Sequence, residues 1–389
     1  MKKTVLFIIG TLQSGGVSKS LVNLLNVFNR KKYETHLLVM SPKGSVFGKY
    51  LPEDVTVHYN QDVSDLHNGL YGVLRLLVRL HVLLAIGSLL RMTLSRFDRA
   101  NAGMLMAKLM PDFTDKEFDL IVDYGGQQQL YYMVDKLKGK KKVTFFHNDY
   151  SKWSYYYKAD KKYFAFVDHI YSISDTCVQV LKDYFPEYAD KISVMENISS
   201  PGLICQQAEA PIGIEIPKDK VILATLGHLC RRKGWDFAID AAKILKREHI
   251  PFVWLQIGKI IETDLVDRIR EAGLEDCFFF VGIQYNPYPY IKACDIYVHP
   301  SRFEGKSIAL DEAKILCKPI VVTNFSTVND QFEDRVNASI CEMSGEDVAA
   351  KIMELINDND LKNRYVDYLH SHVQDNSDEV RKLYQYLEA

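Results

Sequence analysis

Two short apolar runs, Asp295-Ile296-Tyr297-Val298-His299 and Ile320-Val321-Val322, leave this chain few options. Between them lie the loop Ser301-Arg302-Phe303-Glu304-Gly305-Lys306-Ser307, a helix pattern through Ala313, and the exit Cys317-Lys318-Pro319. The order is strand, loop, helix, strand: one unit of a parallel α/β layer. Glu304 and Glu312 stand eight positions apart. On a single helix they would sit roughly 80° apart, so the more useful arrangement puts Glu304 in the loop and Glu312 inside the helix. Ser307 is then expected to cap the helix through its hydroxyl. The free N–H groups of residues 305–308 would point at one spot, where an anion such as phosphate is favoured. Glu312, deeper, could bind a neutral polyol such as ribose. Taken alone, the pair also fits an acidic loop beside a solvated helix glutamate.

A second loop changes that weighting. The apolar run Val221–Leu226 ends in Gly227-His228-Leu229-Cys230-Arg231-Arg232-Lys233-Gly234, and a helix pattern follows with Phe237, Ala238, Ala241, Ala242, Ile244 and Leu245. Three consecutive cations beyond a parallel strand suit a ligand with more than one negative charge, because open α/β sheets bind ligands at the carboxyl ends of their strands. A solvated basic loop is the plain alternative.

Together these loops resemble the retaining glycosyltransferases of the two-domain GT-B architecture, family 4 in particular. That family carries Gly-Arg-x4-Lys-Gly and Glu-x7-Glu loops. Gly227, Lys233 and Gly234 match the first, and Glu304 and Glu312 the second. The stretches from Asn286 to Gly305 and from Ala313 to Thr323 also resemble it. The family's arginine falls here on His228, which carries charge only part of the time near neutral pH. Arg231 or Arg232 would have to supply that charge, or the donor diphosphate is held differently.

The resemblance implies two Rossmann-like parallel-sheet domains facing a cleft, with a C-terminal helix crossing back to the first. The expected limits are an acceptor domain over 1–200, a nucleotide-sugar domain over 201–372 and the crossover over 373–389. It implies catalytic roles for Glu304, Lys233 and His147. It implies donor binding by Gly15, Gly16, Gly227, His228, Arg231, Arg232, Lys233, Gly282, Gly305, Lys306, Ser307 and Glu312. Glycosyl transfer builds positive charge on the sugar and negative charge on the departing diphosphate, so fixed cations are needed there. No paired acidic motif suggests a metal, and neither metal nor cofactor is expected. Glu304 would hold a sugar hydroxyl rather than act as nucleophile.

In the first half, Val5–Ile9 reads as a buried first strand rather than a secretion signal, since no small-residue cleavage site closes it. Gly15-Gly16 opens an amphipathic helix with Leu21, Leu24, Leu25 and Phe28 on one side. Without G-x-G-x-x-G, a nicotinamide site is disfavoured. Further strands are expected at Thr35–Met40, Leu120–Asp123, Val143–Phe146 and His169–Ile173, with His147 at the end of one. The cluster Trp153, Tyr155, Tyr156 and Tyr157 would suit either an acceptor sugar or a helix packing face.

Residues 67–97 lack Asp and Glu but hold Arg75, Arg79, Arg91 and Arg96 among many leucines. The charges are too frequent for a spanning helix. A cationic amphipathic helix near 70–97 lying on an anionic membrane is expected, or a buried helix at the sheet edge. A linker is expected over Asn197–Pro217, which holds Pro201-Gly202 and Pro211-Ile212-Gly213.

The net charge of −2 argues against general nucleic-acid binding. The seven scattered cysteines read as thiols in a reducing compartment. The expectation is therefore a cytoplasmic enzyme, peripheral at the inner face of the cell membrane. It would move a hexose or N-acetylhexosamine, from a UDP-sugar, to a glycan or lipid-linked oligosaccharide of a surface polysaccharide. A GT-B-shaped subunit without turnover and a sugar-nucleotide epimerase are the alternatives.

Overall fold

In the computed structural model the described residues are 2–13, 15–41, 47–217, 219–373 and 375–388. The chain divides into two compact units, Met1–Ile198 with Ser377–Ala389, and Ser199–Asn376.

The first unit holds seven strands: β1 (Lys3–Thr11), β2 (Tyr33–Ser41), β3 (Thr56–His58), β4 (Glu117–Asp123), β5 (Lys138–Phe146), β6 (His169–Ser172) and β7 (Ile192–Val194). All pair in parallel, in the order β3-β2-β1-β4-β5-β6-β7. The helices are α1 (Gly16–Val27), α2 (Gln61–His67), α3 (Gly69–Val78), α4 (Val82–Leu94), α5 (Arg99–Leu109), α6 (Gln128–Lys136), α7 (Tyr157–Phe164) and α8 (Asp175–Tyr184). The run Val5-Leu6-Phe7-Ile8 in β1 is fully buried, as a central parallel strand covered on both faces requires.

The second unit holds α9 (Pro201–Gln207), β8 (Val221–Leu226), α10 (Trp235–Arg247), β9 (Phe252–Ile257), α11 (Asp264–Glu271), β10 (Phe278–Gly282), α12 (Tyr288–Ala293), β11 (Ile296–His299), α13 (Ile308–Ile315), β12 (Ile320–Thr323), β13 (Ser339–Cys341), α14 (Gly345–Asn357) and α15 (Asn359–His372). Its six strands are also parallel, in the order β10-β9-β8-β11-β12-β13. The last helix, α16 (Arg381–Glu388), belongs to the first unit: Leu383 and Leu387 are buried there. The Tyr384 hydroxyl accepts from the Asn29 N–H at 2.8 Å, and Tyr33 donates to Glu388 at 2.9 Å.

Two expectations need correction, and one open alternative narrows. The stretch expected to be a linker contains α9, because Pro201 suits the first turn of a helix and Ile204 and Ala208 bury in the second unit's core. The single cationic helix near 70–97 is two helices, broken at a turn where Leu80 has φ 63°. Two of its arginines are not free. Arg75 pairs with Asp65 at 3.3 Å, and Arg79 with Asp62 at 2.6 Å and Asp65 at 3.2 Å. Those acids lie just upstream of the acid-free run. The aromatic cluster is a packing face for the most part: Trp153 and Tyr157 pack on the first unit's core, and the Arg99 guanidinium sits 4.5 Å from the Tyr155 ring.

Candidate functional site

In the second unit β8 and β11 are neighbours, and the order of connection reverses between them: β9 follows β8 on one side and β12 follows β11 on the other. Loops that leave such a switch point diverge and frame a ligand crevice. Here they are the basic loop 227–234 and the Glu304 loop. Gly234 sets their approach. It sits at φ 70°, and a Cβ built there would lie 1.7 Å from the Pro300 carbonyl oxygen. Arg302 then latches the loops together. Its N–H donates to the Arg232 carbonyl at 3.1 Å and its guanidinium to the Arg231 carbonyl. It also holds Asp236 through both carboxylate oxygens, at 2.7 and 2.6 Å.

The latch brings Lys233 to Glu304, Nζ to Oε1, at 2.6 Å. Two further donors reach the same oxygen: the Ser301 hydroxyl at 2.6 Å and His299 Nε2 at 3.0 Å. No described hydrogen bond falls on Oε2. Burial alone would raise the Glu304 carboxyl, but the Lys233 charge and the His299 hydrogen bond outweigh it. They hold it far below the ordinary carboxylate range. His299 is fully buried on β11, and burial lowers its pKa against the pull of Glu304. A neutral ring that donates from Nε2 fixes the tautomer with the proton on Nε2.

His228 is not the missing cation. Burial, then Lys233, Arg232 and Lys259, lower its pKa, and its Nδ1 accepts from the Lys259 N–H at 3.1 Å. Arg231 turns away, to Glu262 at 2.6 Å and to Asp264. The charges around His228 are therefore Arg232, Lys233 and Lys259. Arg232 makes no ion pair among the described residues and lies 5.7 Å from the Phe303 ring. The expected Ser307 cap differs too. Ser307 stands at the N-cap of α13, but its hydroxyl faces His299 Nε2 at 3.4 Å, and its N–H donates to Gln331 Oε1 at 3.2 Å. One of the N–H groups expected to face an anion is thus taken.

Gly305 and Lys306 lie in the loop before α13. Glu312 is buried on α13, and its Oε1 accepts from the Tyr288 hydroxyl at 3.1 Å. Gly227 leaves β8 beside the Lys233 stem, 3.7 Å from a built Cβ. Gly282 ends the edge strand β10 at φ 75°, and no described contact joins it to Lys233 or Glu304.

The first unit repeats the plan, with its switch point between β1 and β4. Gly15 precedes α1 at φ 112°, a conformation that favours glycine, and Gly16 starts the helix. The loop after β4, Tyr124-Gly125-Gly126-Gln127, has two positive-φ residues, Gly126 at 71° and Gln127 at 48°. Asp123 holds it, accepting from the Gly125 and Gly126 N–H groups at 3.0 and 3.1 Å and from Thr144 at 2.6 Å. Ser20 on α1 bonds the Tyr124 hydroxyl at 2.6 Å and Asn197 at 2.7 Å, tying three sheet ends together. His147 follows β5. Its ring lies 4.6 Å from Tyr124 and 5.6 Å from Phe145, and burial lowers its pKa to about 4.

That shift has a testable sign. The folded state takes a proton on His147 less readily than the unfolded chain, so the stability it contributes is complete above pH 6.5 and is lost as pH falls toward 4. At about 1.4 kcal/mol per pH unit, the full loss is on the order of 3 kcal/mol. Asp123, raised by burial to about 6, acts in the opposite direction over part of that range. Urea midpoints of wild type and His147→Gln between pH 7 and 4.5 isolate the histidine. The variant's curve is expected to be flatter, and equal slopes would count against a buried neutral His147.

Residues 206–371 match the family model described as glycosyl transferases group 1. A curated relative from Campylobacter jejuni, an N-acetylgalactosamine-N,N'-diacetylbacillosaminyl-diphospho-undecaprenol 4-alpha-N-acetylgalactosaminyltransferase, is 25% identical over 93% of this chain and 88% of its own length. Other matches are partial. An uncharacterised glycosyltransferase of Methanocaldococcus jannaschii is 23% identical over 43% of each chain. The O-antigen biosynthesis glycosyltransferase WclY of Escherichia coli is 24% identical over 30% of this chain and 33% of its own. The chain thus spans less than half the length of those two. Among solved structures, HepE of Anabaena in complex with UDP superposes with TM-score 0.69 over the whole of both chains at 15% identity. A glycosyltransferase of Rickettsia africae does so with TM-score 0.67 over 100% and 98%. Likenesses at that identity speak to the fold, two parallel-sheet units of the GT-B kind. The match to the glycosyl transferases group 1 model falls on the greater part of the second unit, residues 206–371.

Proposed function

We propose that the protein is a retaining glycosyltransferase acting at the cytoplasmic face of the membrane. It takes a hexose or N-acetylhexosamine from a UDP-sugar and adds it to a glycan of a surface polysaccharide, carried on a lipid. The observation that supports this most is the meeting of Lys233 and Glu304 at the β8–β11 switch point. Arg232, Lys233 and Lys259 supply fixed positive charge for a diphosphate without reorganisation at the moment of reaction. Glu304 presents a carboxylate oxygen to a sugar hydroxyl, and Glu312 lies deeper for the ribose. The bond from the anomeric carbon to the diphosphate oxygen breaks, and the acceptor oxygen bonds that carbon. The acceptor's proton passes to the departing phosphate, so no side-chain nucleophile is needed. His147 lines the sugar, and the Gly15-Gly16 turn lets backbone approach the donor phosphate or the acceptor. The Campylobacter relative's name, which specifies an undecaprenol-linked substrate, favours a lipid-linked acceptor.

Thermal stabilisation tests the donor assignment, because a ligand of the folded state at a hundred times its Kd adds about 2.7 kcal/mol. Wild type is expected to be stabilised by UDP and by one UDP-sugar. Lys233→Ala and Glu312→Ala are expected to lose the shift. No shift with any nucleotide would overturn the donor assignment.

A further inference from the structure

Five of the seven cysteines are buried. The two that solvent reaches, Cys205 and Cys317, are far apart in the chain yet sit on one core cluster of the second unit. Cys205 lies on α9 beside Ile204, which buries with Ala208 in the cluster that also takes Leu310, Ala313 and Ile315 of α13. Cys317 stands in the turn that closes α13 and packs, half-buried, on the same cluster.

The two thiols are also within electrostatic reach. Burial pushes the Cys317 thiol up, the Cys205 charge pushes it further, and Lys318 pulls it down by less. Lys318 is the next residue in the chain, but its Nζ donates to the Cys294 carbonyl at 2.8 Å. Coulomb interaction falls with distance, so Cys205 acts on Cys317 from close range.

The backbone gives no reason for a cysteine at 317. Its φ is 51°. Its N–H donates to the Lys314 carbonyl at 2.9 Å, and the Lys318 N–H to the Ala313 carbonyl at 3.0 Å. This is the helix-closing turn in which glycine is usual. Any side chain there costs conformational energy, and here the side chain is a thiol that solvent reaches, beside a second such thiol.

We propose that Cys205 and Cys317 form a reversible modification site, oxidised to a disulfide by a small-molecule disulfide such as glutathione disulfide. The exposed Cys205 thiolate attacks one glutathione sulfur. That S–S bond breaks, one glutathione leaves as its thiol, and Cys205 carries the other. The Cys317 thiolate then attacks the Cys205 sulfur and the second glutathione leaves. Two electrons and two protons pass from the protein to glutathione disulfide, which ends as two thiols. Capping Cys205 removes the charge that opposes ionisation of Cys317, so the first step favours the second. The cross-link ties α9 to the helix that carries Glu312. In a reducing compartment such a bond is transient and redox-sensing. The proposal stands on these thiols alone, so its failure leaves the transfer reading standing.

To test it, the full chain is treated with glutathione disulfide at about pH 8, near the ordinary thiol pKa. It is then blocked with iodoacetamide in denaturant and mapped by mass spectrometry without reduction. Wild type is expected to lose two free thiols, to keep no glutathione and to give one linked peptide pair holding Cys205 and Cys317. Dithiothreitol should restore both thiols. Cys317→Gly, which suits the left-handed turn, is expected to keep one glutathione on Cys205. Cys205→Ser is expected to react about tenfold more slowly or less, because the half-buried Cys317 is the poorer first nucleophile. Glutathione left on both cysteines overturns the proposal, as does a link to any other cysteine or between two chains. So do seven unchanged free thiols, or Cys205→Ser reacting as fast as wild type.

Discussion

Lys233→Met is expected to lower sugar transfer by about a hundredfold or more, the scale of losing a fixed charge on the leaving group. It should also cost the fold about 3 kcal/mol, because removing one partner of a buried ion pair strands the other. Glu304 would keep only Ser301 and His299 as donors. Its carboxyl is held low in the folded state, so the stability it contributes is present above the ordinary carboxylate range and is lost as pH falls through the folded value. Without Lys233 that loss moves to higher pH. Urea midpoints from pH 7 down to 4 read this directly. Glu304→Gln separates the two roles. It frees Lys233 from its counter-ion, so UDP is expected to bind at least as tightly while transfer falls. The double variant is expected to recover part of the stability lost in Lys233→Met, since both ends of the pair are then gone. Equal stability of wild type and Lys233→Met at pH 7 would show that the ion pair is not formed in solution.

The residues that frame this site were largely legible in the chain, and their partners were not. Glu304 and Glu312 could be placed because the strand, loop and helix around them have unambiguous periods. Gly227, Lys233 and Gly234 could be placed for the same reason. What these groups touch depends on contacts between loops far apart in sequence. Arg231 and Arg232 are neighbours in the chain and read as equivalent charges. Only the fold shows that Arg231 meets Glu262 and Asp264 while Arg232 stays with Lys233. Arg302 has no signal of its own in the chain, yet it latches two loops through Asp236. His299 could have drawn notice as a histidine closing an apolar strand five residues before Glu304.

Fold elements escaped for similar reasons. β3, β7 and β13 are three residues each, too short to show a period. In α3 and α4 the expected amphipathic helix is interrupted, and the acids that pair with Arg75 and Arg79 lie just before the acid-free window. The turn at Leu80 carries no glycine or proline, so nothing local announced that one helix was two.

The largest effect expected from a single added methyl group is at Gly234. Gly234→Ala adds two costs. The left-handed backbone at φ 70° disfavours a Cβ by about 1–2 kcal/mol. The new carbon would also lie 1.7 Å from the Pro300 carbonyl oxygen, a backbone atom that no side-chain rotation can clear. The loops must part, and the variant is expected to lose about 3 kcal/mol or more, in the range of severe single substitutions. Gly282→Ala supplies the control. Its φ is 75°, but a Cβ there meets nothing within 4 Å, so it should lose only about 1–2 kcal/mol. The difference measures the contact between the two loops, free of the backbone term. Because parting them moves Lys233 away from the Arg232 and Lys259 charges that it joins around His228, Gly234→Ala should also lose the thermal shift with UDP. Equal destabilisation by the two substitutions would mean that the basic loop does not press on the Glu304 loop, and the site as described would have to open.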